Sequence, residues 1–160
     1  LDPSGLDWRA LAAAKDAGGS VVDTPGVTVA HGEAVIDVDC DIWIPAARPD
    51  VITMANVDRL KAKLVLEGAN IPISNEAEDR LQARGVIVVP DFIANAGGVI
   101  CASVEYHGGG EAQALQTIMD KVGANTRAVL ARAARDGIAP RTAALALARE
   151  RVLTAMAWRR

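Results

Sequence analysis

The chain has 160 residues, 51% of them apolar and only 3% aromatic, and carries a formal net charge of −3. That length suits one domain, or a domain with a helical appendage, and so few aromatic residues leave the core to Ala, Val, Ile and Leu. Acids and bases are interspersed with no basic stripe, which argues against a nucleic-acid partner, and no apolar run approaches the roughly 18 residues a membrane span needs.

The opening Leu1-Asp2-Pro3-Ser4-Gly5 reads as a turn from inside a longer protein. Asp7 to Ala17 is Ala-rich and predicts a helix, stopped by Gly18-Gly19. Ser20 to Gly32 reads as loop, with a short strand at Val27 to Ala30. Asp41-Ile42-Trp43-Ile44 predicts a buried strand ended by Pro45. Thr53 to Lys61 predicts a short helix with Thr53 as its N-cap. Lys63 to Glu67 predicts a second strand ended by Gly68. Ser74 opens a helix that runs to Arg84 and stops at Gly85. Val86 to Val89, the most β-branched stretch, predicts a third strand. After Asn95-Ala96-Gly97-Gly98 comes an apolar helix to about Tyr106, then a Gly108-Gly109-Gly110 break. Two longer helices follow, over about Glu111 to Arg135 and Arg141 to Trp158. In the first, Leu115, Ile118, Met119, Val122, Thr126, Val129 and Leu130 recur at amphipathic spacing.

Strands alternating with helices favour a parallel sheet with right-handed crossovers. Short strands apolar on both faces fit a place under helices on both sides. The expected fold is therefore α/β: part of a Rossmann-like, doubly wound parallel sheet followed by C-terminal helices. The expected division is a partial dinucleotide-binding domain over 1–110 and a helical segment over 111–160. The start shows no secretory signal. Cys40 and Cys101 lie far apart in apolar runs with no Cys/His cluster beside them, so buried reduced thiols, a cytoplasmic location and no metal site are expected.

In open parallel sheets, ligands bind beyond the carboxyl ends of the strands. Here the three strands are followed by Pro45-Ala46-Ala47, by Gly68-Ala69-Asn70, and by Pro90 through Gly98 with Asn95 inside it. Small residues let a flat ligand approach the backbone, and an Asn amide donates and accepts at once, as a carboxamide or a ribose requires. Three such loops on one rim would frame a planar polar ring. Each loop also has an ordinary reading, since Gly-Ala-Asn is a common turn and Asn95 could be a helix N-cap.

At these residues the chain resembles the glutamate/leucine/phenylalanine/valine dehydrogenase family, most closely glutamate dehydrogenase. Asp39 to Ala47 resembles its DCDxxxPAA segment, Lys61 to Asn70 its KAKxxxEGAN segment, and Pro90 to Gly98 its PDxxANAGG segment. Arg141-Thr142-Ala143-Ala144 with Glu150-Arg151 resembles the family's C-terminal helix, and Pro3-Ser4-Gly5-Leu6-Asp7 the stretch after the second strand of its nucleotide domain. The likeness spans nearly the whole chain in order.

The resemblance implies NAD- or NADP-dependent oxidative deamination of an L-amino acid to a 2-oxo acid and ammonia. It implies that the Ala46-Ala47 backbone lies along the cofactor, that Asn70 contacts the nicotinamide ribose region, and that Asn95 orients the carboxamide and borders the substrate. It further implies that the glycine fingerprint and the catalytic lysine and aspartate belong to parts of the parent enzyme outside this sequence. No catalytic residue is assigned here: Lys15, Lys61, Lys63 and Lys121 read as solvated, as do His31 and His107.

One position departs from the pattern. Where glutamate dehydrogenases usually carry a serine at the substrate's distal carboxylate, this chain has Ala102, with Ser103 next to it. A one-residue shift turns a helical side chain by about 100°. Ala102 leaves room for an apolar amino acid, while the Arg141 region looks glutamate-type. Without its glycine-fingerprint neighbour, the Asp41-to-Ile44 strand would present an open edge. Self-association across it, a homo-oligomer, or cover by another element is expected. The chain alone is expected to lack dehydrogenase activity. The alternative is a non-catalytic module that binds a nucleotide or small ligand on the same sheet. Another doubly wound family, such as a methyltransferase, would not explain the Asn-bearing loops together with the C-terminal helix.

Overall fold

Three short apolar strands, the first two separated by a 3-10 turn and the last two by a capped helix, build the centre of this chain. The structure, a computed structural model, describes residue 2 and residues 4–158. Leu1 and Pro3 of the opening turn lie outside the described residues. The chain divides into two compact units, residues 1–38 and 39–160.

In the first unit, α1 (Trp8–Asp16) is capped by Asp7, whose carboxylate accepts from the N–H of Arg9 at 3.0 Å. Gly18, at φ +80°, turns the chain out of it. Short 3-10 turns follow at Val21–Asp23 and Gly32–Asp37. The strand expected at Val27 to Ala30 does not form. Its β-branched residues lie just after the Gly26 turn (φ +81°), and a strand without a partner ladder has nothing to hold it extended.

The second unit holds the sheet. Strands β1 (Ile42–Trp43), β2 (Leu64–Leu66) and β3 (Ile87–Val89) lie in the order β1-β2-β3, all parallel. Register places Ile42, Leu64 and Ile87 in one row and Trp43, Val65 and Val88 in the next. Successive side chains point to opposite faces. The second row is buried, whereas Ile42 and Ile87 are 53% and 47% exposed. The expected helical cover is thus complete on one face and partial on the other. Among the described residues, β1 is an edge strand that pairs only with β2.

The buried face lies under α2 (Asn75–Ala83) and α6 (Pro140–Ala157), both packed against β3. Ser74 caps α2 as its sequence predicts, accepting from the N–H of Ala77, and Gly85 at φ +78° ends it. After β3 comes an unexpected single turn, α3 (Asp91–Ala94), and then α4 (Gly97–Tyr106). The 26-residue α5 (Glu111–Asp136) packs against α3, α4 and α6. Gly137 closes it in a left-handed conformation, and Pro140 starts α6, where its missing N–H costs no hydrogen bond. Between α5 and α6, Val129, Ala133, Ala143 and Ala144 form a small buried cluster; their short side chains let the helices approach closely.

Two further expectations are corrected. Cys40 and Cys101 are free, as expected, but only partly buried. The helix expected at Thr53 to Lys61 shrinks to a 3-10 turn, Val57–Arg59. Asn56 is the cause: its Oδ1 accepts from the Thr53 N–H at 2.9 Å and its Nδ2 donates to the Val51 carbonyl at 2.9 Å. Such local side-chain bonds offer the backbone an alternative to the helix. The Arg84 guanidinium completes the turn by donating to the carbonyls of Val57 and Leu60, at 2.7 and 2.5 Å. Both of those residues are fully buried. Arg84→Met should therefore lower stability by about 2 kcal/mol in urea unfolding, the cost of leaving such carbonyls unpaired. An unchanged midpoint and slope would show that water replaces the guanidinium.

Candidate functional site at the strand tips

Parallel strands deliver their carboxyl ends to one side, and here the three tips are bonded together. The N–H of Ala69, beyond β2, donates to the carbonyl of Pro45, beyond β1, at 2.8 Å. Gly68 permits this approach: a Cβ there would lie 3.0 Å from the Cβ of Ala46. The third tip arrives through Asn95, just after α3. Its Nδ2 donates to Asn70 Oδ1 at 2.7 Å and to the Ala69 carbonyl at 3.3 Å. Asn95 is thus not the N-cap of α4; that position is Ala96, which makes no side-chain cap bond.

A concavity of about 490 Å³ opens beside the two amides, lined by Gly68, Asn70, Phe92, Asn95, Ala96 and Val99. Ala46 stands against Gly68, while Ala47 and Ala102 fall outside the lining residues. Ala102 is exposed on α4, three residues beyond Val99 and therefore near the same helical face. Ser103, four residues beyond Val99, lies near that face as well, and its carbonyl oxygen pairs with Nδ1 of His107 at 2.7 Å. With its donors directed at Asn70 and Ala69, Asn95 keeps Oδ1 as an acceptor, and Asn70 keeps Nδ2 as a donor. The site thus offers one acceptor and one donor group beside the apolar surfaces of Phe92 and Val99. A separate cavity of about 270 Å³ lies wholly in the first unit, and its lining is mostly Val and Leu. Such a lining can take apolar groups but supplies little to orient a polar ring.

Beneath the rim lies a charged network that the sequence reading did not assemble. Glu67 has the same parity on β2 as Val65, so its side chain points to the buried face, and it is 0% exposed. Arg141, in the first turn of α6, donates to Glu67 Oε2 at 2.7 Å and to Glu78 Oε2 at 2.5 Å. It also reaches Asp91 Oδ1 at 3.4 Å. Asp91 connects this network to the rim twice. Its backbone N–H donates to Glu67 Oε2 at 2.7 Å, and its Oδ2 accepts from the N–H of Ile71 at 3.0 Å. Ile71 follows Asn70 and has φ +49°, an outlying conformation for a β-branched residue. Its carbonyl accepts from the N–H of Asp50, itself at φ +53°. Strain of this kind, about 1–3 kcal/mol per residue, persists only where neighbours impose it. The parity of Glu67 was the one signal in the sequence: a buried charge requires a partner.

Three carboxylates share one guanidinium in this network. Burial pushes the Glu67 carboxyl up to about 7, with Arg141 opposing the rise. Burial raises Glu78 as well, against its hydrogen bond to Arg141. Oε1 of Glu67 is buried without a hydrogen-bond partner, so the proton belongs there rather than on the doubly bonded Oε2. Elsewhere, Lys63 pairs with Asp41 at 2.8 Å on the surface. Among the described residues no group of three or more His, Cys, Asp or Glu side chains is placed to hold a metal ion. Nor is any helix of these residues long and apolar enough to cross a membrane.

A family model described as glutamate/leucine/phenylalanine/valine dehydrogenase matches residues 1–160. The chain belongs to that dehydrogenase family. An NADP-specific glutamate dehydrogenase from Saccharolobus shibatae is 36% identical, over 98% of this chain and 39% of its own length. A glutamate dehydrogenase from Thermotoga maritima is 42% identical over 66% of this chain and 25% of its own length. The chain therefore spans well under half of the dehydrogenases it matches. Among solved structures, the hetero-hexameric glutamate dehydrogenase from Thermus thermophilus, in a Leu-bound form, covers the whole chain with a TM-score of 0.81 at 28% identity. Here 39% of that dehydrogenase chain is matched. An L-tryptophan dehydrogenase from Nostoc punctiforme has a TM-score of 0.73 over 96% of this chain and 43% of its own; at 24% identity this speaks to the fold alone. The parallel α/β sheet read from the sequence is the fold of this dehydrogenase family.

The charged network sets a pH dependence whose sign follows from linkage. Glu67 has a folded-state value above the ordinary 4.5, so between about 4.5 and about 7 the folded chain holds a proton that the unfolded chain has released. Stability should fall as pH rises through that window, by roughly 3 kcal/mol if Glu67 acts alone. Asp41, Asp58 and Asp136 are held below 3.8, mainly by hydrogen bonds to Lys63, Arg80 and Arg135, and act only at more acid pH. Urea unfolding from about pH 5 to about pH 8 should show the decline, and Glu67→Gln should flatten it. A rising profile would contradict the assignment.

Proposed function

We propose that this chain is the nicotinamide side of the NAD- or NADP-binding domain of an amino-acid dehydrogenase, acting in oxidative deamination of L-glutamate or a related L-amino acid. Residues 1–110 supply the partial dinucleotide-binding part and 111–160 the helical segment that packs with it. The carrying observation is the Asn70–Asn95 amide pair, bonded at 2.7 Å across two strand tips. A nicotinamide carboxamide has donors that suit Asn95 Oδ1 and an acceptor that suits Asn70 Nδ2. The small residues Ala46, Ala47 and Gly68 suit close approach of a flat ring to the backbone. These residues fit the cofactor, which when bound would supply the hydride acceptor.

What this chain's residues contribute is orientation. Hydride transfer requires reacting carbons within a narrow distance and angle, so a fixed carboxamide fixes the ring face that meets the substrate. Ala102, exposed near the face of α4 that bears Val99, is the position we assign to the substrate side chain. A methyl group there neither binds nor repels a distal carboxylate. The likeness to glutamate dehydrogenases favours glutamate, and the absent hydroxyl admits a more apolar substrate. The rest of the machinery, the pyrophosphate-binding turn and the catalytic lysine and aspartate, belongs to the remainder of a longer enzyme. We read that enzyme as cytoplasmic and oligomeric, with the free edge of β1 taken by another strand.

The test is cofactor binding by the 160-residue chain. NADH and NADPH should each shift the side-chain amide resonances of Asn70 and Asn95. Asn95→Ala should weaken binding about tenfold, the value of one well-placed hydrogen bond. Incubation with glutamate and either oxidised cofactor should give no reduction above background. Cofactor shifts confined to the first unit would sink the rim as the site, and turnover by the chain alone would sink the claim that catalysis needs the remainder.

A further inference from the structure

The side chains of the network beneath the rim bond neither amide side chain, yet Asp91, one of its members, holds the backbone of Asn95 and that of Ile71, the residue after Asn70. We propose that Glu67 is the positioning residue of the Asn70–Asn95 pair, acting through the backbone N–H of Asp91 at the first residue of α3. The inference takes its functional meaning from the cofactor reading of the rim, but its geometry stands without it.

The chain of contacts is short. Glu67 Oε2 accepts from Asp91 N at 2.7 Å, and the carbonyl of Asp91 accepts from the N–H of Asn95 at 2.8 Å, so one residue separates Glu67 from the backbone of Asn95. On the other side, Asp91 Oδ2 accepts from Ile71 N at 3.0 Å and holds the strained residue next to Asn70. Asp91 therefore holds Asn95 and the residue that follows Asn70, and Glu67 holds Asp91. Arg141 carries the same constraint from α6, meeting Glu67, Glu78 and Asp91 at once.

Most buried polar side-chain atoms have a hydrogen-bond partner. Glu67 has one oxygen doubly bonded and the other, Oε1, buried with no partner. That oxygen can take up a proton without breaking any bond present. The charged groups facing Glu67 are Arg141 from α6, Glu78 from α2 and Asp91 from α3. Burial, the largest effect, pushes the Glu67 carboxyl up to about 7, with Arg141 opposing and Glu78 and Asp91 assisting. Protonation replaces a charged acceptor by a neutral one, and such bonds are about half as strong. The hold on Asp91, and with it on Asn95, slackens below neutrality and tightens above it.

The experiment follows the Asp91 backbone amide and the Asn95 side-chain amide of the full chain by NMR, without ligand, from about pH 5.5 to about pH 8.5. His31→Gln and His107→Gln are included in the reference chain, so no imidazole titrates. Both signals should move in one step near neutrality. Glu67→Gln should abolish the step, Glu67→Asp should retain one, and Glu78→Gln, which removes a facing negative charge, should move the midpoint to lower pH. A flat profile in the reference chain overturns the proposal, as does a step that survives Glu67→Gln. Should Glu67→Gln not fold, a midpoint indifferent to Glu78→Gln overturns it instead.

NADH binding in the same series separates this proposal from the reading on which it builds. Affinity should be roughly threefold to tenfold tighter above the step than below it. Absence of any NADH binding with the step intact would reject the rim as a cofactor site and support the role of Glu67. NADH binding with flat amide profiles would support the rim and reject that role.

Discussion

Arg141 stands where β2, α2, α3 and α6 converge, and among the described residues it is the cation that pairs with all three carboxylates there. The partners lie 74, 63 and 50 residues away in sequence, so this contact exists only once the sheet and both covering helices are assembled. A buried ion pair is weak evidence for stability, because removing charges from water costs about as much as their attraction returns. Its value here is geometric. A planar guanidinium meets carboxylates only in a few directions, and those directions fix how α6 crosses the end of β2. The conflict between charge and burial is resolved by a proton, which is why Glu67 is pushed up to about 7 rather than down.

The rim above inherits that precision. Three strands of two or three residues each provide few ladder bonds, so the sheet by itself defines the tips loosely. The tips are instead fixed by specific contacts beyond the strands: Ala69 to Pro45, Asn95 to Asn70, and Asp91 to Ile71 and Glu67. Two left-handed residues, Asp50 and Ile71, are bonded to each other in the same region, where the parallel bridge between Ile52 and Ile73 joins their segments. Membership of the dehydrogenase family gives this architecture its functional frame, and the chemistry of the site comes from the side chains.

Much of the fold was legible because its signals are local. Ser74 and Gly85 bracket α2, Gly137 and Pro140 separate α5 from α6, and the three short apolar runs lie where the strands do. The meeting of the tips was legible too, since parallel strands must end on one side. What escaped was decided by contacts that sequence spacing does not reveal. Asn56 diverts the expected helix after Thr53, and the Val27 to Ala30 run finds no ladder. The turn of α3 was hidden inside a segment read as loop, although Pro90 followed by an acidic residue is a helix-start pattern. Glu67 and Arg141 were recognised as motif members without a partner for either, because pairing across 74 residues is a property of the fold.

The composition of the rim bears on how much order a ligand must impose when it arrives. Ala46, Ala47, Gly68, Ala69, Ala96, Gly97 and Gly98 have no rotamers to freeze, and side-chain immobilisation commonly costs up to about 2 kcal/mol for the longest residues. The two flexible side chains at the centre, Asn70 and Asn95, already restrain each other. A guest therefore meets a surface whose contour is drawn by the main chain and whose entropy loss has largely been incurred during folding. Selectivity at such a surface comes largely from shape, and a substituent added to the guest finds room to yield only at the margins formed by Phe92 and Val99.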